Sequence, residues 1–429
     1  MGALPRPSLV AAATVLLTCL PAGLDGLTAQ VRVTAADIAS VALAAVALAL
    51  LVASQRAAEL PARALVLAPV AGAAAIAVLA SPDVLASVPG YLRYVQVFVI
   101  VPLAVMVTVR DRADSLIVGG AVVGAAAVQG VVGCVQAFTG TGASYAGERV
   151  RAVGTFGALD VMGMASVVSF GAIILLGVGL GVRGRRRAAA LGGAALLCVP
   201  LALSLSRGAW LALLCAALVM VFMRSRVLGA RVLLAGAAAG TVLVAGLGTG
   251  SDVLGRRVAS MASAVTQPDQ SLSDRYTLWR TAAGMWLDHP LTGVGPRRFA
   301  ELRDTYAPIE LSSGSDTDDP VHGFQRQPLL SPHNMYLLTL SEQGLLGLAA
   351  LGLCLGAMAW WAVRGGAVIA AGLLTWQLAD FVYGDIGGPP TLVMSVVLGL
   401  VLARVTRRAG PPPVTGALAV PRSGPGGTR

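Results

Sequence analysis

The feature that most constrains this chain is a series of long apolar segments with almost no charge. They lie at roughly residues 8–24, 37–53, 64–80, 94–109, 115–138, 158–182, 188–205, 208–223, 228–248, 334–363, 366–383 and 389–405. A helix needs about 20 mostly apolar residues to cross the hydrocarbon core of a bilayer. The sequence therefore predicts an all-α polytopic membrane protein with about 12 transmembrane helices.

Composition excludes two other classes of protein. Hydrophobic residues make up 56% of the chain and charged residues only 12%, whereas a soluble domain carries roughly 25% charged residues. A disordered chain would be polar and rich in charge. The net charge of +10 does not indicate nucleic acid either, because the arginines lie between apolar runs instead of forming one basic face.

The arginines also predict the orientation. The chain contains no lysine, which is typical of a bacterial gene of high GC content, and the loops alternate between arginine-rich and arginine-poor. Cytoplasmic loops of membrane proteins carry an excess of positive charge. Sixteen arginines fall on one side if residue 1 is cytoplasmic, against five in the short loops of the other side. We expect both termini in the cytoplasm of a multi-pass protein of the bacterial inner membrane.

This topology divides the chain into four parts. Residues 1–248 hold transmembrane helices 1–9, and residues 334–408 hold helices 10–12. Between them, residues 249–333 form a large extracytoplasmic loop with eight arginines and ten acidic residues. Residues 409–429 are rich in Pro and Gly and are expected to be a disordered cytoplasmic tail.

The large loop is expected to contain short helices. An apolar and aromatic stripe recurs at helical spacing and comprises Leu272, Tyr276, Trp279, Ala283 and Trp286. This pattern predicts an amphipathic helix that ends at His289-Pro290, followed by a second short helix over 297–306. Packing against the membrane surface or the bundle explains the stripe better than stacking on a sugar does.

Two arginine motifs are candidate anion sites. Ser204-Leu-Ser206-Arg207-Gly208 places an arginine at a short turn between two apolar runs, where a charged side chain indicates function, although such an arginine can also snorkel to the interface. Asp274-Arg275-x-x-x-Trp279-Arg280 places Arg275 near a helix start that favours anions. Alternatively, one of these arginines is a structural partner of Asp274.

A third motif contains a candidate general base. Ser331-Pro-His333-Asn334 marks the point where the chain re-enters the membrane, and Glu342 follows about two helical turns deeper. A neutral histidine accepts a proton near pH 7, although a single histidine is more often structural or solvated. Glu342 is itself an unusual residue within a predicted span.

Signatures of nucleotide and metal sites are missing. There is no phosphate-binding loop with a lysine, and no His-Glu-x-x-His or Cys-x-x-Cys motif. Asp316-Thr-Asp318-Asp319 offers oxygen ligands to a hard cation, but a solvated acidic loop is the stronger interpretation. No cofactor and no metal is expected.

The motifs taken in order resemble the O-antigen ligase/polymerase family of bacterial membrane proteins. The set consists of the Ser-Arg-Gly-Ala-Trp turn at 206–210, Asp-Arg-x-x-x-Trp at 274–279, Asp-His-Pro-Leu-Thr-Gly-Val-Gly at 288–295, and Pro-His-Asn-x-Tyr at 332–336 with Glu-x-Gly-Leu-Leu-Gly after it. The resemblance covers roughly residues 150–360 by motif. One departure is that Gly154-Thr-Phe156 is followed by Gly-Ala-Leu-Asp160, where family members often have Asn-Pro-Asn.

The resemblance implies a metal-independent, inverting, GT-C-like glycosyltransferase. Such a protein moves glycan from a polyprenyl (undecaprenyl) pyrophosphate carrier to a glycan or lipid acceptor hydroxyl outside the cytoplasm. It implies that Arg207 and Arg275 bind the pyrophosphate and that His333 is the base. Residues that would support the site are Ser206, Asn334, Glu342, Arg280 and Arg151. The alternative is a transporter or flippase for a lipid-linked sugar, but transporters often show paired halves, and no internal repeat is present.

Overall fold

The chain is described by a computed structural model over residues 6–20, 34–53, 60–143, 151–157, 160–247, 270–307, 315–319, 323–327 and 329–407. The first ten α-helices are α1 (Ser8–Leu17), α2 (Ala35–Ala53), α3 (Ala68–Ala80), α4 (Val84–Val95), α5 (Val101–Thr108), α6 (Arg112–Thr139), α7 (Val161–Gly181), α8 (Gly184–Leu203), α9 (Arg207–Arg224) and α10 (Arg226–Leu247). The remaining ones are α11 (Gln270–Asp288), α12 (Phe299–Tyr306), α13 (Met335–Arg364), α14 (Val368–Asp380) and α15 (Pro390–Thr406). Short 3₁₀ segments cover Ala62–Leu67 and Gly154–Phe156, and a π-helical turn, Gln96–Ile100, joins α4 to α5.

The helices confirm a polytopic membrane protein. Within the part of the chain that the structure describes, eight helical segments are long and apolar enough to cross a membrane, and three shorter apolar helices accompany them. Each of the twelve apolar runs contains helical residues. The number of twelve crossings stays a prediction.

Contacts between distant segments define one end of the bundle. Arg6 forms an ion pair with Asp111 at 2.9 Å, a guanidinium nitrogen of Arg63 donates to the carbonyl of Val405 at 2.6 Å, and the Arg407 side chain donates to the carbonyl of Val109. The start of α1, the Ala62–Leu67 turn, the α5–α6 turn and the end of α15 therefore lie together. We call this the arginine-rich end.

The opposite end is closed by the turn between α14 and α15. The backbone N–H of Met335, at the start of α13, donates to the carbonyls of Phe381 at 2.9 Å and Gly384 at 3.0 Å. Helix α14 packs against α9, α7 and α13. Its buried Trp376 meets Phe170 of α7 edge to face, with ring centroids 4.9 Å apart. This packing fixes the turn relative to the starts of α9 and α13.

The large loop contains the two predicted helices and one element that was not predicted. The amphipathic helix is α11, and the second short helix is α12, which begins at Phe299 instead of at residue 297. Strands β1 (Ser315–Asp319) and β2 (Gly323–Gln327) form an antiparallel hairpin with Asp316 opposite Arg326. The acidic motif that was interpreted as a loop is therefore a strand. The tail at 409–429 lies outside the described residues.

Candidate functional site

One predicted arginine, Arg275, and the neighbour of another, Gly208, meet the same residue of the α14–α15 turn (residues 381–389). A guanidinium nitrogen of Arg275, on α11, lies 3.4 Å from the carbonyl oxygen of Tyr383 and donates to it. A Cβ added to Gly208, which follows Arg207, would lie 3.1 Å from the Tyr383 ring. The start of α9 and the start of α11 thus converge on Tyr383.

His333 lies in a short segment that is fixed by its neighbours. The indole N–H of Trp279 donates to the carbonyl of Pro332 at 2.9 Å, which ties the segment to α11. The side chain of Asn334 caps α13 by accepting from the backbone N–H of Leu337 at 3.0 Å. His333 itself has φ = 47°, a left-handed conformation that is uncommon for a residue with a side chain. Strained backbone of this kind clusters at functional sites.

The surroundings of His333 favour its neutral form. Burial lowers the pKa of the imidazole, the carboxylate of Asp385 acts in the opposite direction, and the positive charge of Arg275 lowers the pKa further. His333 therefore lies within the electrostatic range of Arg275 on one element and of Asp385 on another. A neutral imidazole beside a carboxylate has the form required of a general base.

Arg207 occupies the first position of α9. Ser206 is the N-cap residue, and its hydroxyl accepts from the backbone N–H of Ala209 at 3.4 Å while it contacts the sulfur of Met162 at 3.2 Å. The preceding Leu205 has φ = 53°, so the turn between α8 and α9 is tight. The side chain of Arg207 is exposed, which leaves it accessible to a ligand at the end of the bundle.

Three carboxyl groups lie around the α14–α15 turn, and the motifs had indicated only the first. Asp160, Asp380 and Asp385 each have a buried carboxyl oxygen without a hydrogen-bond partner among the described residues. The Oδ2 atom of Asp160 abuts Gly388 so closely that an added Cβ would lie 2.5 Å away. Burial and the charge of Asp385 raise the pKa of Asp160 to about 7.

These carboxyl groups do not form a metal centre in the described part of the chain, where no three His, Cys, Asp or Glu side chains are arranged to hold an ion. Asp380 is buried at the end of an apolar helix, and an ionisable residue in that position is a candidate for function. Asp385 stands in a Gly- and Pro-rich turn between the last two apolar runs. That position was the signal available in the sequence.

Glu342 has a structural role, because it holds a neighbouring loop segment against α13. Its carboxylate accepts from the backbone N–H of Phe299 at 3.1 Å, and its carbonyl accepts from the backbone N–H of Gly295 at 2.9 Å. An added Cβ at Gly293 or Gly344 would collide with the facing backbone, and Gly344 breaks α13 with φ = 65°. The segment 289–299 therefore docks onto the kink of α13 through close backbone contact.

The remaining predicted residues lie around this centre. Arg280 is exposed on α11. Arg151 pairs through its backbone with Ala143, and the next residue, Ala152, donates to the carbonyl of Leu203 at the end of α8. The Oδ2 atom of Asp274 has no hydrogen-bond partner among the described residues, and burial raises the pKa of its carboxyl group.

The central segment of the chain is similar to a known protein family. Residues 192–352 match the family model described as O-Antigen ligase. The resemblance to the O-antigen ligase family is confirmed. The ligase segment includes Arg207, Arg275 and His333 but ends before Tyr383 and Asp385. A search of curated proteins finds no match to the chain.

The match indicates a ligase or polymerase of surface polysaccharide. Together with the long apolar helices, it describes a multi-pass membrane protein that handles a lipid-linked glycan. The candidate site thus combines residues of segment 192–352 with the buried carboxyl groups of Asp160, which precedes α7, and of Asp380 and Asp385, at the end of α14 and in the turn after it.

Proposed function

We propose that the chain is a membrane glycosyltransferase of the outer face of the bacterial cytoplasmic membrane. It transfers glycan from a polyprenyl (undecaprenyl) pyrophosphate carrier to an acceptor hydroxyl of a glycan or lipid, as a ligase or as a polymerase. The observation that carries the proposal is the meeting of Gly208 and Arg275 at Tyr383, with His333 within the electrostatic range of Arg275. The twelve crossings, the GT-C-like architecture and the cytoplasmic termini belong to this proposal.

The two arginines would stabilise the leaving group. When the bond between the sugar and the pyrophosphate breaks, negative charge grows on the phosphate oxygens. A guanidinium is permanently charged and donates two parallel hydrogen bonds to such oxygens. Arg207 and Arg275 stand at or near the N-termini of α9 and α11, whose unpaired N–H groups also favour an anion. Fixed donors of this kind are often the largest contribution to catalysis.

His333 would activate the acceptor. Its neutral imidazole takes the proton of the acceptor hydroxyl while that oxygen attacks the anomeric carbon from the face opposite the pyrophosphate. The new glycosidic bond forms as the carbon–oxygen bond to the carrier breaks, so the configuration inverts. The imidazolium that results is stabilised by the negative charge of Asp385, which acts directly on His333. Asp385 is therefore a positioning residue in this scheme.

The supporting residues have two kinds of proposed role: some fix the segments of the site, and others contact the glycan. Ser206 and Asn334 cap α9 and α13 and so fix the two segments that carry Arg207 and His333. Glu342 anchors segment 289–299. We propose that Arg151 and Arg280 contact the sugars of the glycan.

The proposal is tested with the full-length protein in phospholipid vesicles that contain a polyprenyl pyrophosphate-linked glycan and a candidate acceptor. Free polyprenyl pyrophosphate and the elongated acceptor are measured by mass spectrometry. We expect both products with the wild type and neither with Arg207→Gln. Growth of a carrier-linked chain identifies a polymerase, and transfer to a lipid acceptor identifies a ligase. Movement of the intact carrier across the bilayer without bond cleavage would contradict the proposal and favour the transporter.

A further inference from the structure

A groove at the arginine-rich end has no place in the transfer reaction. It has a volume of about 330 Å³ and lies between the end of α2, the approach to the 3₁₀ segment Ala62–Leu67, the end of α5 and the end of α15. This size is within the range of small-molecule sites, which starts at roughly 300 Å³. The groove lies at the opposite end of the bundle from Tyr383, so its role does not depend on the proposed function.

The walls and the rim of the groove differ in chemistry. Apolar side chains line the walls, among them Leu51, Leu60, Met106 and Val107. Two arginines, Arg110 and Arg407, line the same groove. Arg407 directly follows α15, and Arg110 lies two residues after the end of α5, so both stand at the ends of apolar helices. A groove with apolar walls and two cationic side chains at its rim is complementary to an amphipathic anion.

Both arginines have guanidinium N–H donors that no described residue accepts from. In the part of the chain that the structure describes, the Arg407 side chain has a single hydrogen-bond acceptor, the carbonyl of Val109, although a guanidinium offers five N–H donors. The Arg110 side chain has no hydrogen bond or ion pair to the described residues and is exposed. Burial lowers the pKa of Arg407, which is the direction expected for a cation that is incompletely paired.

The two acidic residues nearby that the structure describes are already engaged. Asp111 and Asp114 both bind Arg6, at 2.9 and 3.0 Å. Asp114 also accepts from the hydroxyl of Ser8 at 2.8 Å and from the backbone N–H of Arg110 at 2.9 Å. Arg6 neutralises only one of these two carboxylates, and both of them also attract Arg407. Arg110 and Arg407 together outweigh the remaining negative charge, so the rim of the groove keeps a positive balance. Arg63 and Arg404 add to that balance, since both are exposed at the same end.

We propose that this groove binds an anionic phospholipid. The phosphate lies between Arg110 and Arg407, and part of an acyl chain lies along the apolar walls. Basic pockets between transmembrane helices at the cytoplasmic side are known to hold anionic head groups. The location at a membrane boundary, the apolar walls and the unused guanidinium donors all favour a lipid over a soluble anion.

Native mass spectrometry of the full-length protein tests the proposal. The protein is released from detergent with dioleoyl phosphatidylglycerol or with dioleoyl phosphatidylcholine, which differ in head-group charge but share their acyl chains. We expect a retained phosphatidylglycerol adduct, and a loss on the order of tenfold or more in the double variant Arg110→Gln/Arg407→Gln, because each arginine near a lipid phosphate contributes to binding. The matched control is Arg112→Gln/Arg226→Gln, which removes the same charge outside the groove.

Two further measurements distinguish binding of the whole lipid from binding of its phosphate group alone. Leu51→Trp fills the groove and leaves both arginines, so it should also weaken the phosphatidylglycerol adduct. Glycerol 3-phosphate carries the anion without acyl chains and should not be retained. Equal retention of phosphatidylcholine, equal loss in the control variant, or binding of glycerol 3-phosphate at the strength of the lipid would each overturn the proposal. Helical content by circular dichroism and elution as a single species in detergent, which none of these variants should change, confirm that the proteins are folded.

Discussion

Both ends of the bundle carry arginines, yet the two sets differ in how the chain holds them. At the arginine-rich end, Arg112 and Arg226 stand at exposed helix starts, and the loops that carry them need no unusual backbone. At the opposite end, Arg207 lies two residues after Leu205, which has φ = 53°, and His333 itself has φ = 47°. That end also gathers buried carboxyl oxygens that have no hydrogen-bond partner in the part of the chain that the structure describes.

The difference shows that residue type alone does not mark a site in a membrane protein. On the topology that the sequence predicts, the arginines at one end follow the general excess of positive charge in cytoplasmic loops. At the other end, the backbone conformation and the incomplete pairing of buried polar groups are costly to the fold. Such costs indicate that the arrangement at the opposite end is maintained for a purpose other than stability.

The largest effect is expected at His333. Replacement by Asn keeps a residue type that tolerates the left-handed backbone but removes the base, so transfer in vesicles should fall by about 10²- to 10⁴-fold. Arg364→Gln at the arginine-rich end should leave the rate unchanged. If His333→Asn retains the wild-type rate in a folded protein, the assignment of the base is wrong.

The two ends of a single helix give the sharpest comparison. Helix α9 begins with Arg207 and ends with Arg224. Arg207→Gln should lower the rate of transfer by roughly 10²- to 10³-fold, the effect typical of one lost donor to a developing anion. Arg224→Gln, which removes the same charge from the same helix, should transfer glycan normally. If both variants lowered the rate of transfer equally, the assignment of the reaction to the Arg207 end of the bundle would be wrong.

A smaller effect is expected from the packing that brings the site together. Gly208→Ala places a Cβ 3.1 Å from the Tyr383 ring, so the α14–α15 turn has to shift. The shift required is a few tenths of an ångström. Because a misplacement of about 1 Å can lower a rate by about 10²-fold, we expect a loss of roughly tenfold or less. Gly356→Ala on α13 meets nothing within 4 Å and serves as the control. A normal rate for Gly208→Ala would show that the position of Tyr383 is not important for transfer.

The pH profile of transfer should move in opposite directions in two variants. Activity should increase with pH as His333 becomes neutral, and burial places this transition below the usual range of a histidine. Asp385 raises the pKa of His333 and Arg275 lowers it. Asp385→Asn should therefore move the acidic limb to lower pH, and Arg275→Gln should move it to higher pH. Shifts in the same direction, or no shift, would contradict the placement of these charges around His333.

The smallest effect concerns stability. The pKa of Asp160 is raised from 3.8 to about 7 in the folded protein, so its contribution to stability is fully present below about pH 4 and is lost as the pH rises from there through about 7. Asp160→Asn cannot ionise. Its Tm should exceed that of the wild type by more at about pH 8 than at about pH 4. Asp304→Asn, on a side chain that is 82% exposed, should show no such dependence.

The sequence was sufficient to predict features that depend on local pattern. The spacing of aromatic residues predicted α11, whose last residue, Asp288, directly precedes the His289-Pro290 at which the helix was expected to end. Charged or polar residues at the boundaries of apolar runs identified Arg207 and His333. These signals are readable because each one is contained within about twenty residues, the length of a membrane span.

The parts that escaped prediction depend on contacts between distant segments. Tyr383 becomes central only because α14 packs against α9 and α11 reaches the same turn. Nothing within 381–389 records that packing. Glu342 was a candidate for the site, and its partner proved to be the backbone of Phe299, 43 residues away. Non-local contacts of this kind are set by tertiary packing and cannot be derived from local periodicity.

The most direct test is the lipid-linked glycan pool of cells that lack this protein, measured by mass spectrometry after rescue with wild type, Arg207→Gln or Arg224→Gln. We predict that polyprenyl-linked glycans accumulate in the cells without the protein and in those with Arg207→Gln, as single repeats for a polymerase and as long chains for a ligase. Wild type and Arg224→Gln should both clear them. An unchanged pool in the cells without the protein, or clearance by Arg207→Gln, would contradict the assignment of this end of the bundle to glycan transfer.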